Sequence, residues 1–180
     1  MPPVVDKIIH FGQFNVTKQV FYTTRLSFAL VNLKPLLPGH VLVSPLRVVP
    51  RFSQLTADEV SDLFLTAQRV ARVVERLYDA SALNIAVQDG EDAGQSVPHV
   101  HAHVIPRKRS DLGEGQGDRI YDMMEGEEGD VGAQMQERRR EREGDRERFP
   151  KPDNEGRRPR SDEEMQREAE WLAGEMDKEA

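Results

Sequence analysis

The stretch that decides the fold is His99-Val100-His101-Ala102-His103-Val104-Ile105, in which three histidines alternate with small apolar residues. In an extended strand successive side chains point to opposite faces, so the three imidazoles form a row while the apolar residues pack behind them. In a helix, residues two apart do not share a face, and the rings would scatter around the axis. The pattern therefore predicts a β-strand with one face for chemistry and the other for the core.

Four more short apolar runs, rich in β-branched and aromatic residues and bounded by turn residues, predict further strands. They cover residues 20–22, 26–31, 40–44 and 83–87. Between the last two, apolar residues spaced by three and four from Val60 to Tyr78 predict a long amphipathic helix, which Thr56-Ala57-Asp58-Glu59 opens as a capping box. The predicted fold is α+β, an antiparallel sheet of about five strands with this helix on one face.

Composition divides the chain into three parts. Residues 1–108 contain the predicted strands and the long helix, and they form the domain core. In residues 109–160 charged residues and glycines dominate and apolar residues are sparse, which predicts a disordered insertion. Ser161-Asp162-Glu163-Glu164 is a second capping box, and it opens a C-terminal helix over 161–180 that we expect to dock on the core.

The 180 residues carry a net charge of -7 and no cysteine. The acidic balance argues against nucleic-acid binding through a basic surface, and the lack of cysteine excludes disulfides and thiolate zinc sites. No apolar stretch approaches the roughly 18 residues of a membrane span, and the first residues lack the order of a signal peptide. We expect a soluble protein of the cytoplasm, with the nucleus left open as a second compartment, that binds neither nucleic acid nor membrane.

The histidine row is compatible with three kinds of site. Alternate histidines can ligate zinc, but a closed site needs a further ligand such as Asp89 or His40. Histidines can also line a half-buried face without function, although three in register need polar partners or repel one another when charged. Third, an imidazole can accept a nucleotidyl group and pass it to water, while its neighbours stabilise the phosphate oxygens. We interpret the row as a nucleotidyl-transfer site without a metal.

The row fits the His-φ-His-φ-His-φ-φ signature of the histidine triad superfamily, and other segments resemble its fragile histidine triad branch. These segments are 26–32, Lys34-Pro35, 38–43, Gln88-Asp89-Gly90, 93–97 and Pro106-Arg107-Lys108. The resemblance implies hydrolysis of dinucleoside polyphosphates, typically of diadenosine triphosphate to AMP and ADP, by a homodimer whose sheets join. We expect no tightly bound cofactor, with Mg or Mn arriving only together with the polyphosphate.

The resemblance also implies a role for each motif residue. His101 is the nucleophile, His103 and His99 bind the α-phosphate and the leaving side, and His40 is the buried partner that orients the triad. The implied substrate contacts are Asn32 at the ribose and, around the phosphates, Gln88, Gly94, Gln95, Ser96 and Val97. Phe11, together with residues 33–37, would supply an apolar slot for the adenine, although each of these residues taken singly is more typical of the core.

Three other functions stay open at this point. Nucleoside phosphoramidases share the triad but usually follow it with a Gly-Gly-Arg ending, where this chain has Pro106-Arg107-Lys108. A nucleotide-sensing signalling module with slow turnover would use the charged insertion and Tyr121 to contact a partner. A metal-dependent hydrolase would need a divalent cation in the site itself.

Overall fold

The computed structural model describes residues 7–126, 130–143 and 160–179. The strands are β1 (His10–Phe11), β2 (Phe14–Asn15), β3 (Val20–Thr23), β4 (Ser27–Val31), β5 (Val41–Pro45), β6 (Ala82–Val87) and β7 (Ala102–Arg107). The helices are α1 (Ala57–Leu77), α2 (Arg119–Glu125), α3 (Val131–Glu143) and α4 (Asp162–Asp177). Strands β3 to β7 form one antiparallel sheet in the order β3-β4-β5-β7-β6, while β1 and β2 form a separate hairpin. The predicted α+β fold is confirmed.

Helices α1 and α4 cover one face of the sheet. Leu63 and Val70 of α1 and Leu172 of α4 are buried in a single cluster with apolar residues of β4, β5 and β7. Both helices begin with the predicted capping boxes, in which the Thr56 and Ser161 side chains accept hydrogen bonds from backbone N–H groups of the first turn. Within the described part of the chain, no helix combines the length and apolar character needed to cross a membrane.

The opposite face of the sheet is covered by the β1–β2 hairpin, α2 and α3. Side chains of the hairpin and of α3 are buried with Phe28, Leu30 and Leu42 at the β3–β4–β5 side. Side chains of α2 are buried with Ile105 at the β7 side. The histidine row lies between the hairpin with α3 on one side and α2 on the other. Its surroundings are therefore set by elements that precede and follow the sheet strands in the chain.

The prediction of a disordered insertion over 109–160 is wrong for the part that the structure describes. Helices α2 and α3 form there, and they bury five apolar residues of this region, although Tyr121 of α2 stays exposed. The five are Ile120, Met123, Met124, Val131 and Met135. Within each helix the buried residues lie three or four positions apart and so share one side, which gives a sparse composition a packing surface. Residues 127–129 and 144–159 of the predicted insertion lie outside the described residues.

The predicted histidine strand begins later than its sequence pattern indicates. Only His103 lies within β7, because the backbone groups of Val100 are bonded outside the ladder. The Val100 N–H donates to the Val49 carbonyl at 2.7 Å, and the Val100 carbonyl accepts from the Ser44 hydroxyl at 2.7 Å. The alternation of faces is nevertheless retained, since Val100 and Val104 are buried in the core cluster beneath α1.

Candidate active site

The three histidines of the motif are gathered under the β1–β2 hairpin. The His101 and His103 ring centroids lie 5.0 Å apart, and the Phe11 ring lies 5.0 Å from His101 and 5.5 Å from His99. The relative exposure of the three histidines is 0% to 2%. The three histidines therefore form a buried cluster, and the Phe11 ring packs against two of them, His99 and His101.

His101 carries a free nucleophilic nitrogen. Its Nδ1 lies 2.8 Å from the carbonyl oxygen of His99. Because a carbonyl oxygen only accepts hydrogen bonds, Nδ1 holds the proton, and in the neutral ring Nε2 then holds the lone pair. Among the described residues, no group donates a hydrogen bond to this Nε2. The backbone thus fixes the tautomer in which Nε2 can attack an electrophile.

His103 presents a hydrogen-bond donor, and a chain of bonds through His40 fixes that donor in place. The Leu36 N–H donates to His40 Nδ1 at 3.1 Å, so the His40 proton lies on Nε2. His40 Nε2 in turn lies 2.9 Å from His103 Nδ1 and donates to it. The His103 proton therefore lies on Nε2, a buried atom with no hydrogen-bond partner among the described residues. A buried N–H without a partner is costly, and a phosphate oxygen would satisfy it.

His99 has no nitrogen left for a substrate. Its Nδ1 accepts from the Gly12 N–H at 3.0 Å, and its Nε2 lies 2.8 Å from the Pro45 carbonyl oxygen, to which it donates. Gly12 adopts a φ of +57°, and a Cβ there would come within 2.7 Å of Val97, so the turn requires glycine. In this structure His99 ties the hairpin to the sheet, whereas the resemblance implies a phosphate contact.

Burial keeps all three imidazoles neutral at physiological pH. Desolvation lowers the pKa of His99 to about 4, and it also lowers the pKa of His101. The pKa of His103 lies well below its usual value, because desolvation is reinforced by the positive charges that His101 and His40 would carry. The site therefore offers neutral imidazoles, with a lone pair on His101 and an N–H on His103, rather than imidazolium ions.

Two of the expected substrate contacts, Asn32 and Gln88, lie on opposite sides of the histidines. Asn32 follows β4 directly and is 1% exposed, with its Oδ1 accepting from the Lys34 N–H at 3.3 Å. Gln88 follows β6, and its Nε2 donates to the Met124 carbonyl of α2 at 3.3 Å. Gly94, with a φ of +85°, packs so closely on this amide that a Cβ would lie 2.5 Å from Gln88 Nε2.

The loop that precedes the histidines is braced by its own side chains. Gln95 bridges two segments, because its Oε1 accepts from the Gly90 N–H at 2.8 Å and its Nε2 donates to the Pro50 carbonyl at 2.9 Å. The Ser96 hydroxyl accepts from the Gly132 N–H of α3 at 2.9 Å. Val97 is buried beside the hairpin. In this conformation, the Gln95 and Ser96 side chains hold the loop rather than face an open site.

The expected apolar slot for a nucleobase is filled by α3. Phe11 is fully buried, in one cluster with Phe14 of the hairpin and with Val131 and Met135 of α3. Residues 33–37, the other expected wall of the slot, do not lie together. Leu33 is buried in the core beneath α1, whereas residues 36 and 37 pack against α2. In this conformation Phe11 and residues 33–37 do not line one common slot, and the nucleobase contact stays a prediction.

A cavity of about 290 Å³ remains beside the filled slot. Its walls combine polar residues of the hairpin and of the segment before β3 with apolar and basic residues. They are Gln13, Phe14, Asn15, Gln19, Leu33, Met135, Arg138 and Arg139. The cavity lies between the hairpin and α3, so its size depends on where α3 sits.

Asp89, a candidate for a further metal ligand, is engaged elsewhere. Its Oδ1 accepts from the Phe52 N–H at 2.7 Å, and its carboxylate pairs with Arg51 at 3.3 Å. His40 is the second candidate ligand, and both of its ring nitrogens are used in the chain that leads to His103. In residues 7–126, 130–143 and 160–179, no three His, Asp or Glu side chains form a group that could hold a metal ion.

Two groups near the site are absent from the expectations derived from sequence. Gly12 could have been found, because Phe11-Gly12-Gln13-Phe14 places a turn residue between two aromatic residues. Arg160, whose guanidinium donates to the Asn32 carbonyl, has no such local signal. It lies 128 residues from its acceptor, just before the capping box of α4.

Comparison with known proteins identifies the family. A family model described as the HIT domain matches residues 13–110. An asymmetrical bis(5'-nucleosyl)-tetraphosphatase from Schizosaccharomyces pombe is 49% identical over 176 residues, which cover 94% of this chain and 95% of that protein. A bifunctional bis(5'-adenosyl)-triphosphatase/adenylylsulfatase from Arabidopsis thaliana is 55% identical over 119 residues, which cover 66% of this chain and 65% of that protein. The crystal structure of the C. elegans NitFhit protein matches with a TM-score of 0.64 and 35% identity, covering 93% of this chain and 30% of that one. The chain belongs to the HIT domain family.

Proposed function

We propose that this protein hydrolyses dinucleoside polyphosphates, with diadenosine triphosphate as the substrate and AMP and ADP as the products. The observation that carries the proposal is the pair of complementary nitrogens in the buried cluster. His101 Nε2 offers a lone pair, and His103 Nε2 offers an N–H without a partner. A relative that matches most of the chain is named a tetraphosphatase and another a triphosphatase, which supports this substrate class.

The reaction proceeds in two displacements at one phosphorus atom. His101 Nε2 attacks the α-phosphorus and forms an N–P bond, while the bond to the bridging oxygen breaks and its electron pair leaves with ADP. Water then attacks the same phosphorus and gives up a proton to solvent, while the N–P bond breaks and its electron pair returns to Nε2. AMP is released with the original tautomer of His101 restored. The His103 N–H stabilises the negative charge on a phosphate oxygen in both steps.

The remaining motif residues position these two groups. His40 fixes the proton of His103, and His99 anchors the hairpin that carries Phe11. Asn32 is the contact to the ribose, and Gln88 and the 94–97 loop surround the phosphates. A base can stack on Phe11 only after Val131 and Met135 move away, so α3 has to shift when substrate enters. Mg or Mn belongs to the substrate, as the counterion of the polyphosphate.

The experiment that tests the proposed function compares three substrates at equal concentration. We expect kcat/KM for diadenosine triphosphate to exceed that for an adenosine phosphoramidate by at least about tenfold, with AMP and ADP as the only products. Diadenosine tetraphosphate, the third substrate, measures the preference for chain length. Faster turnover of the phosphoramidate would reject the proposal in favour of a phosphoramidase.

A second copy of the chain is the proposed partner. Strand β6 lies at the edge of the sheet and pairs with β7 on one side, while Ile85 is 49% exposed. An edge strand presents backbone groups to which another strand can be added, and two antiparallel copies of β6 would join the sheets around a twofold axis. We expect a dimer in sedimentation velocity and a monomer after Ile85→Lys, which places a charge on the exposed side chain of the edge strand. A monomeric parent protein would contradict this arrangement.

A further inference from the structure

Arg160 holds the backbone of the residue expected to bind the ribose. It lies just before α4, and its Nε donates to the Asn32 carbonyl at 3.1 Å. Its Nη2 donates to the same oxygen, and its backbone N–H donates to the Leu33 carbonyl at 3.1 Å. Two consecutive carbonyls of the strand end are thus fixed by one residue, which sets the orientation of the Asn32 peptide and hence of its side chain.

The other side of the Arg160 guanidinium continues to the segment that carries His40. Its Nη1 pairs with Glu168 of α4, whose other oxygen accepts from the Tyr78 hydroxyl at 3.1 Å. The Tyr78 ring packs against Gly39, where a Cβ would come within 2.6 Å of the ring and φ is +83°. Gly39 precedes His40 directly. The network Arg160–Glu168–Tyr78 therefore contacts both ends of the 32–40 segment.

The Arg160–Glu168–Tyr78 network holds its groups in fixed positions. The Arg160 and Glu168 side chains are 20% and 17% exposed, so water screens their charges only in part. A guanidinium is always charged and its donors form a rigid fork, which makes its bonds to a carbonyl directional. Burial and the nearby Glu168 carboxylate raise the pKa of Tyr78, which keeps its hydroxyl protonated and donating.

We propose that Arg160 is a positioning residue for the hydrolytic reaction, holding Asn32 and the 32–40 segment in the geometry that binds the nucleoside. The inference rests on the proposed function, since it takes Asn32 as the ribose contact. Arg160 itself touches no reacting atom, and its effect passes through the Asn32 carbonyl. Nucleoside binding contributes equally to the ground state and the transition state, so its loss raises KM and leaves kcat nearly unchanged.

The test compares Arg160→Met with Arg76→Met in the full-length chain. Arg76 also ties α4 to the domain, through Glu175 at 3.1 Å, but it does not contact the 32–40 segment. For Arg160→Met we expect KM for diadenosine triphosphate to rise about tenfold with kcat within about twofold of the parent. For Arg76→Met both constants should stay within about twofold. Equal changes in the two variants would show that Arg160 only docks α4, and would overturn the inference.

A second measurement tests the route through Asn32. If Arg160 acts through that residue, the Arg160→Met change should have little further effect on KM when Asn32 is already alanine. A full tenfold rise in that background would refute the route. Glu168→Gln removes the charge that pairs with Arg160 but keeps an acceptor for the Tyr78 hydroxyl. We expect this variant to raise KM by about threefold. It replaces Arg160→Met as the test if that variant does not fold.

Hydrogen exchange separates failure of the inference from failure of the proposed function, because it needs no turnover. The amides of residues 33–40 should exchange about tenfold faster in Arg160→Met than in the parent and in Arg76→Met. Unchanged exchange in this segment would overturn the positioning role even if the enzyme is active. A parent protein without hydrolase activity whose Arg160→Met variant shows the faster exchange would reject the proposed function and keep the structural role.

Discussion

Replacing His101 with asparagine is expected to lower kcat for diadenosine triphosphate by at least about a thousandfold. The asparagine amide can still donate to the His99 carbonyl, as His101 Nδ1 does at 2.8 Å, so the surrounding backbone keeps its partner. What the variant lacks is a nitrogen lone pair at the position of Nε2. Initial rates of AMP release measure the loss, and retained substrate binding in calorimetry shows that the site remains folded.

The matched control for this substitution is His10→Gln. His10 is an exposed histidine of β1, in the hairpin but outside the triad, and its replacement should leave the rate unchanged. Protein quenched during turnover should carry an AMP adduct on His101, which peptide mass spectrometry locates. A His101→Asn variant with a nearly normal rate, or an adduct on a different residue, would refute the nucleophile assignment.

Acid is expected to destabilise the protein through the buried histidines. The folded pKa of His99 is about 4, whereas the ordinary value is 6.5. The unfolded chain therefore binds more protons below pH 6.5, so the free energy of unfolding falls as the pH decreases from 6.5 towards 4. The shift corresponds to about 3 kcal/mol for His99 alone. The lowered pKa values of His101 and His103 act in the same direction.

Urea unfolding at pH 7.5, 6.5, 5.5 and 5.0 measures this dependence above the range in which most carboxylates titrate. We compare the change in unfolding free energy with pH, rather than its absolute value, in the parent, His99→Gln and His10→Gln. The dependence should be weaker in His99→Gln, and it should match the parent in His10→Gln, whose histidine is exposed. An unfolding free energy that is constant from pH 7.5 to 5.0 would show that the triad is not buried in its neutral form.

The sequence correctly predicted those parts of the fold that depend on local periodicity. The spacing of Leu63 and Val70 within α1 and the capping box at Thr56 are properties of neighbouring residues, so they can be recognised without tertiary contacts. Composition predicts disorder for residues 109–160 because it averages over the segment and does not register where the apolar residues lie. In α2, three apolar residues are buried in one cluster with Ile105 of β7, and this packing stabilises the helix.

For the site, the sequence by itself determined which chemistry is available, namely three imidazoles with apolar residues between them that pack on the opposite face. Only the tertiary structure decided what each imidazole can do. The proton of His103 is fixed by His40, 63 residues away, His99 is occupied by Gly12, 87 residues away, and Asn32 is held by Arg160, 128 residues away. The physical reason is that a tautomer, a lowered pKa and a fixed peptide plane depend on which groups lie within about 3 Å in a dry environment. Folding brings such groups together from distant parts of the chain, and no local pattern records them.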